Sequence, residues 1–133
     1  MNTKKFLLAS FGVFVTTQIL DFVIHNLILG STYESIQGLF RTDMADKMWV
    51  MYVTGIVFSL LFVHIFTKGY EGKGILEGVK YGLLIGLVVY FVGSFNQFVV
   101  YPVPYVLMWK WVIYGTLEMM AAGAVTALIY KPK

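Results

Sequence analysis

The chain has no cysteine, three prolines and two histidines in 133 residues, and only 13% of its positions are charged. Without cysteine there is no disulfide, no thiolate-bound zinc, no cysteine-held iron–sulfur cluster and no covalent haem attachment. The scarcity of charge says more. A soluble domain carries about 25% Asp, Glu, Lys and Arg, whereas here 59% of residues are hydrophobic and the mean hydropathy is +0.77. That balance belongs to a membrane protein. The formal charge of +3 does not point to nucleic acid, because the basic residues stand at the ends of apolar runs, where they anchor helices. No nucleic-acid partner is expected; the lipid bilayer is.

Crossing the hydrocarbon layer takes about 20 apolar residues at about 1.5 Å each. Four stretches qualify, at about residues 6–29, 48–66, 76–100 and 106–130. The expectation is an all-α integral membrane protein, one domain over residues 1–133, folded as an antiparallel four-transmembrane-helix bundle. The opening "MNTKKFLLASFGVFV" has the basic and apolar regions of a signal peptide. Its apolar run continues to Leu29 with no small-x-small cleavage site behind it, so it is expected to stay as the first span. Between the first two spans, "GSTYESIQGLFRTDMADK" places Ser31 and Glu34 at capping-box spacing and Tyr33, Ile36, Leu39 and Phe40 at helical intervals. A short interfacial helix is expected there. "TKGYEGKG" is a glycine-rich turn, and the two prolines of "YPVPY" end one span and begin the next.

Lys4, Lys5, Lys68, Lys73, Lys80, Lys131 and Lys133 fall on one side of this topology, and Arg41, Lys47 and Lys110 on the other. The asymmetry puts both termini in the cytoplasm. Trp49, Tyr101, Tyr105, Trp109 and Trp111 then form an outer aromatic belt, with Tyr81 and Tyr130 near the inner face.

Gly74, Gly78, Gly82 and Gly86 recur every four residues in "GILEGVKYGLLIG", a ridge without side chains on one face of the third span. Lipid offers little hydrophobic drive between helices, so close approach at small residues holds them together. The ridge serves either packing inside the bundle, with Gly115 and Gly123 as a complementary groove, or a homodimer seam. "GYEGKG" is not a phosphate-binding loop, since only three residues separate Gly69 from Lys73 and no Ser or Thr follows.

The polar residues inside the spans carry the functional question. Gln18, Asp21 and His25, spaced three and four apart, share one face of the first span. Counted from Phe6, Asp21 lies about 22 Å into a core about 30 Å thick, in the outer leaflet. Asn96 and Gln97 come out at the same depth, Glu118 just beyond the midplane, and Tyr52 at outer depth. Gln18, Asp21, His25, Tyr52, Asn96, Gln97 and Glu118 are therefore the candidates to line one polar pocket open to the outside. Carboxylates facing lipid are costly, so Asp21 and Glu118 should face the bundle interior with partners. For Asp21 and His25 the structural alternative is an intrahelical ion pair; for Glu118 it is a protonated carboxyl bonded to Asn96 or to a backbone carbonyl.

Asp21, His25 and Glu118 are also of the right types to hold zinc, manganese or ferrous iron, though two helices carrying one His and two acids is a weak metal pattern. The same trio offers proton donors and acceptors but no nucleophile. A haem is disfavoured: His64 sits near the inner end of the second span, about 25 Å in depth from His25, too far for one iron.

Across nearly its whole length, and most closely in "LDFVIHNLILGSTYES", "FTKGYEGKGILEGVKYGLLIGL", "VVYPVPY" and "YGTLEMMAAGAVTALIYKPK", the chain resembles an uncharacterised family of short bacterial four-helix integral membrane proteins, a domain of unknown function. The resemblance implies a multi-pass protein of the bacterial cytoplasmic (inner) membrane and brings no catalytic residue with it. On sequence alone the first functional reading is a non-enzymatic accessory or interaction subunit, docking in a larger membrane complex or as a homodimer. A protein that binds or transports a ligand, ion or metal through the outer-leaflet pocket is the second, and a metal-assisted membrane enzyme the third.

Overall fold

The structure, a computed structural model, describes residues 1–131; Lys133, counted above among the inner lysines, lies outside the described residues. The fold is all-helical. Its helices are α1 (Thr3–Ile28), α2 (Gly30–Ser35), α3 (Met44–Lys68), α4 (Ile75–Val100) and α5 (Tyr105–Ile129), and all but α2 are long and apolar enough to cross a membrane. Against the expected 48–66, α3 gains residues at both ends. Asp46, Lys47 and Lys68 remain helical there, since charged side chains at a helix end can reach past the apolar layer. In α2 the residue before the helix is Leu29 and no side chain caps it. Ser31 thus lies inside the first turn, and the capping box read from Ser31 and Glu34 does not form.

The first and last described residues lie at one end of the bundle, where Lys5 Nζ donates to the Lys131 carbonyl. We call this the terminal end, and the end carrying α2 the loop end. The turn between α3 and α4 closes the terminal end. Glu77 grips it, its Oε1 accepting from the Glu71 amide at 2.6 Å and its Oε2 from the Lys73 amide at 2.7 Å. Gly72 and Gly74 sit there at φ +75° and +86°, a backbone conformation that L side chains rarely adopt.

The tightest contact in the molecule is α4 against α5. A Cβ on Gly78 would lie 2.0 Å from the carbonyl oxygen of Gly123, one on Gly82 2.1 Å from that of Met119, and one on Gly86 2.8 Å from Cα of Thr116. Two backbones therefore touch directly, as small-residue faces allow in lipid. Three of the four expected ridge residues make this contact, and all three are buried inside the chain. Gly74 does not: it precedes α4, and a Cβ there would meet nothing within 4 Å, because its backbone has already left the helix. Gly123 completes the expected groove, whereas Gly115 receives the ring of Tyr90 instead.

Helix α1 packs on both α5 and α3, with Gly12 against Val125 and Ile129 and Gly55 against Phe14 and Gln18. The terminal half then closes into a ring. Phe62 and Phe66 of α3 meet Tyr81 of α4 in a tilted and an edge-on contact, centroids 4.8 and 5.4 Å apart, and Tyr81 donates to the Phe62 carbonyl at 2.5 Å. Ala9, Val13, Val63, Met119, Ala122 and Tyr130 fill this core. The loop half is different. A smaller cluster of Ile24, Leu29, Val103 and Leu107 seats α2 against the ends of α1 and α5, but the buried residues of α3 are Ser59, Phe62, Val63 and Phe66, all in its terminal half. Along its loop half α3 stands away from α4 and α5.

The α4–α5 contact makes a direct expectation. Gly82→Ala should lower unfolding stability by about 3 kcal/mol, since neither backbone can yield without parting the helices. Gly69→Ala, where a Cβ meets nothing within 4 Å, should stay within about 0.5 kcal/mol. Thermal melts of the two variants in the same detergent, followed by helical circular dichroism, would check the contrast.

Candidate functional site

Where α3 stands away, the bundle leaves a partly open cavity of about 800 Å³, walled by α1, α2, α4, α5 and the loop half of α3. A second one of about 570 Å³ lies between α1 and α3. The two share His25, Asn26, Met48, Met51, Tyr90 and Glu118 as lining residues, so they are two lobes of one space.

Glu118 is its floor. The residue is 3% exposed, and Tyr90 donates to its Oε2 at 3.2 Å. Its Oε1 is buried and receives no hydrogen bond. The carboxyl of Asp21 lines the smaller lobe with it. Two carboxyls meet here, and no lysine or arginine lines either lobe.

Two irregular turns aim these groups. Residues Phe22–Ile28 of α1 and Leu87–Phe91 of α4 are π-helical, a form found mostly as single turns within α-helices and often at functional sites. The first comes directly after Asp21 and contains His25; the second contains Tyr90. Gly115, one turn before Glu118 on α5, makes room for Tyr90: a Cβ there would sit 2.3 Å from two ring atoms. The ring thus lies flat on α5 and its hydroxyl reaches Glu118.

A second polar chain descends from the loop end. Trp111 Nε1 donates to the Tyr33 hydroxyl at 2.8 Å, and that hydroxyl lies 2.7 Å from His25 Nδ1. Indole can only donate. With the Tyr33 oxygen accepting from Trp111, every proton is used if the Tyr33 hydroxyl donates to Nδ1, which leaves the proton of a neutral His25 ring on Nε2. That nitrogen is 3.9 Å from Asp21 Oδ1, with both side chains nearly half-exposed. The spacing is an ion-pair distance rather than a hydrogen bond. Burial pushes the Tyr33 phenol above its ordinary range against the opposing pull of the Trp111 bond, so it remains a donor throughout the physiological pH range.

The structure gathers most of the residues singled out in the sequence. Gln18, Asp21, His25, Tyr52 and Glu118 line the smaller lobe, and His25, Gln97 and Glu118 the larger. Asn96 lines neither and is exposed. Successive helical residues point about 100° apart, and the cavity takes Gly93, Ser94 and Gln97 from this turn. The expected bond from Asn96 to Glu118 is made by Tyr90 instead. As for metal, among the described residues no three His, Asp or Glu side chains converge to hold an ion: Asp21 meets both His25 and Glu118, but the trio does not close on one point. Trp111, placed in the outer belt by sequence, turns inward.

Tyr33, Tyr90 and Trp111 were missed as site residues. Tyr90 carried a readable signal, since a phenol nine residues past Tyr81 comes out close to the depth of Glu118. Tyr33 and Trp111 carried none, because their meeting depends on how α2 folds over the bundle. Compared with family models, with curated proteins and with solved structures, the chain finds no match in any of the three.

If the Tyr90 bond holds Glu118, Tyr90→Phe should cost about 1 to 3 kcal/mol, the penalty for a buried acceptor left without its donor. The same change in a Glu118→Leu background should cost less by at least about 1 kcal/mol. A double-mutant cycle in denaturant-unfolding free energy reads the coupling directly; purely additive values would mean the bond contributes nothing.

Proposed function

We propose that this chain is a membrane-embedded binding protein for amphipathic organic cations: an amine or quaternary ammonium on an apolar or aromatic body. The observation that carries this reading is Glu118, a buried carboxyl with an unpartnered oxygen at the floor of an 800 Å³ cavity, opposite a second carboxyl. Buried polar groups ordinarily find partners; neither acid has a lysine or arginine beside it, and the basic group nearby, His25, stands 3.9 Å from Asp21, so the Glu118 carboxyl still calls for positive charge from elsewhere. A ligand's cation supplies it. The rest of the space suits the remainder of such a ligand. Met44, Met48 and Met51 give one adaptable wall, and Tyr33, Tyr90, Trp111 and Tyr114 present aromatic groups around it. Glu34 of α2 adds negative charge to the lining.

In the same proposal the protein sits in a bacterial cytoplasmic membrane with both termini in the cytoplasm, as the lysine distribution and the family resemblance imply. The loop end, and with it the cavity, then faces outward. The accessory-subunit reading stands second. Trp49, Val53 and Ile56 on the loop half of α3 are exposed apolar residues that a partner helix would cover. Gly78, Gly82 and Gly86 are already buried within the chain, so docking would use another face, such as this one on α3.

Tetraphenylphosphonium and tetraphenylborate, nearly the same shape with opposite charge, make a suitable pair of probes. In lipid nanodiscs the phosphonium should bind saturably, one per chain, and the borate should not. Glu118→Gln should weaken the phosphonium at least tenfold, about 1.4 kcal/mol. Gly93→Leu, which projects into the cavity from a site with nothing within 4 Å, should abolish binding while the fold survives. Equal binding of both probes, or indifference to Glu118→Gln, would reduce the site to nonspecific apolar adsorption.

A further inference from the structure

We infer that the cavity opens sideways into the acyl-chain layer, through a slot between the loop halves of α3 and α4, and that its ligand arrives from the bilayer rather than past α2 from water. The inference rests on the reading above in one respect: the chain spans a membrane and the cavity takes an amphipathic cation.

The slot is a consequence of how α3 is held. Its terminal half is fixed by Phe62 and Phe66 against Tyr81, and by the hydrogen bond from Tyr81 to the Phe62 carbonyl. Helix α3 packs chiefly on α1, and its loop half has no buried residue between Met44 and Phe58. The two helices therefore diverge from a fastened point, as the arms of tongs do. On the α3 side the gap is edged by Met48 and Met51, on the α4 side by Val89 and Gly93. Gly93 has no atom within 4 Å of where its Cβ would stand, so the α4 edge is bare backbone at that residue. Unbranched methionine side chains facing bare backbone can part without breaking a packed contact.

The route past α2 is obstructed by contrast. Leu29 is fully buried, Ile36 and Tyr33 pack against the cluster at the ends of α1 and α5, and the Tyr33 hydroxyl is pinned between Trp111 and His25. Passage through the Tyr33 contact would have to break both hydrogen bonds; lateral passage breaks none. A ligand whose apolar body dissolves in the membrane meets the slot at the depth where it already resides, with its cationic group free to reach Glu118.

Trp111 inside the cavity reports which phase enters. Trp49 and Trp109 line neither lobe, so the Trp49→Phe/Trp109→Phe chain leaves Trp111 as the sole tryptophan. In nanodiscs of phosphatidylcholine brominated along the acyl chain, its emission should fall at least twofold, while aqueous iodide changes it little. Adding Gly93→Leu, which plugs the slot, should remove at least half of the bromolipid quenching. Quenching by iodide but not by bromolipid would overturn the inference, as would bromolipid quenching that Gly93→Leu leaves unchanged. Saturating tetraphenylphosphonium should restore the emission by occupying the space. Quenching that persists undiminished under the phosphonium would leave the slot standing and count against the ligand class, so the two ideas fail separately.

Discussion

Everything in this bundle is referred to the line where the backbones of α4 and α5 touch. Three glycines of α4 and Gly123 of α5 bring main chains to within a distance that no side chain would allow, and in an apolar surround such contact replaces the hydrophobic drive of a water-soluble core. The pair is rigid for that reason. It also fixes the site, because the same packing lays Tyr90 on Gly115 and so directs a hydroxyl at Glu118. Helix α1 adds Asp21 from the opposite side, and α3, the least embedded of the long helices in the loop half, supplies only a wall.

The bundle is therefore of two characters along its length. Toward the terminal end aromatic rings interlock, and polar side chains bond to backbone carbonyls, locally from Ser10 to Phe6 and Thr126 to Ala122 and between elements from Tyr81 to Phe62. Toward the loop end the helices spread, and polar side chains bond across elements. A tightly closed half holds the geometry steady while the open half keeps space. This division suits the binding role proposed above: rigidity and vacancy are placed in different layers, with Glu118 at their boundary.

Much of this was written in the linear pattern. Four apolar runs, the glycine interval and the depth of Asp21 and Glu118 could each be counted off, because regular helices convert residue number into height. What could not be counted was rotation. Asn96 and Gln97 share a depth but not a direction, and the sequence ranked them together. The π-helical turns at Phe22–Ile28 and Leu87–Phe91 shift the helical phase of the residues beyond them without leaving a compositional mark, so a strict helical wheel assigns those faces wrongly. Contacts made through α2 were hidden for another reason: Tyr33 and Trp111 are 78 positions apart, and only a folded loop joins them.

Those π-helical turns also mean that the site depends on chain length as well as on chemistry. Each widens its helix by taking up more residues than an α-helical turn of the same height. Shorten either by one residue, and an ordinary helix could re-form, every side chain intact, with one side of the turn rotated by about 100° against the other. The carboxyls and the phenol would still be present in the same numbers; they would no longer look at one another. For this protein a single deletion in a greasy stretch, which alters neither hydropathy nor charge, would be a more drastic edit to the site than many substitutions of its polar residues.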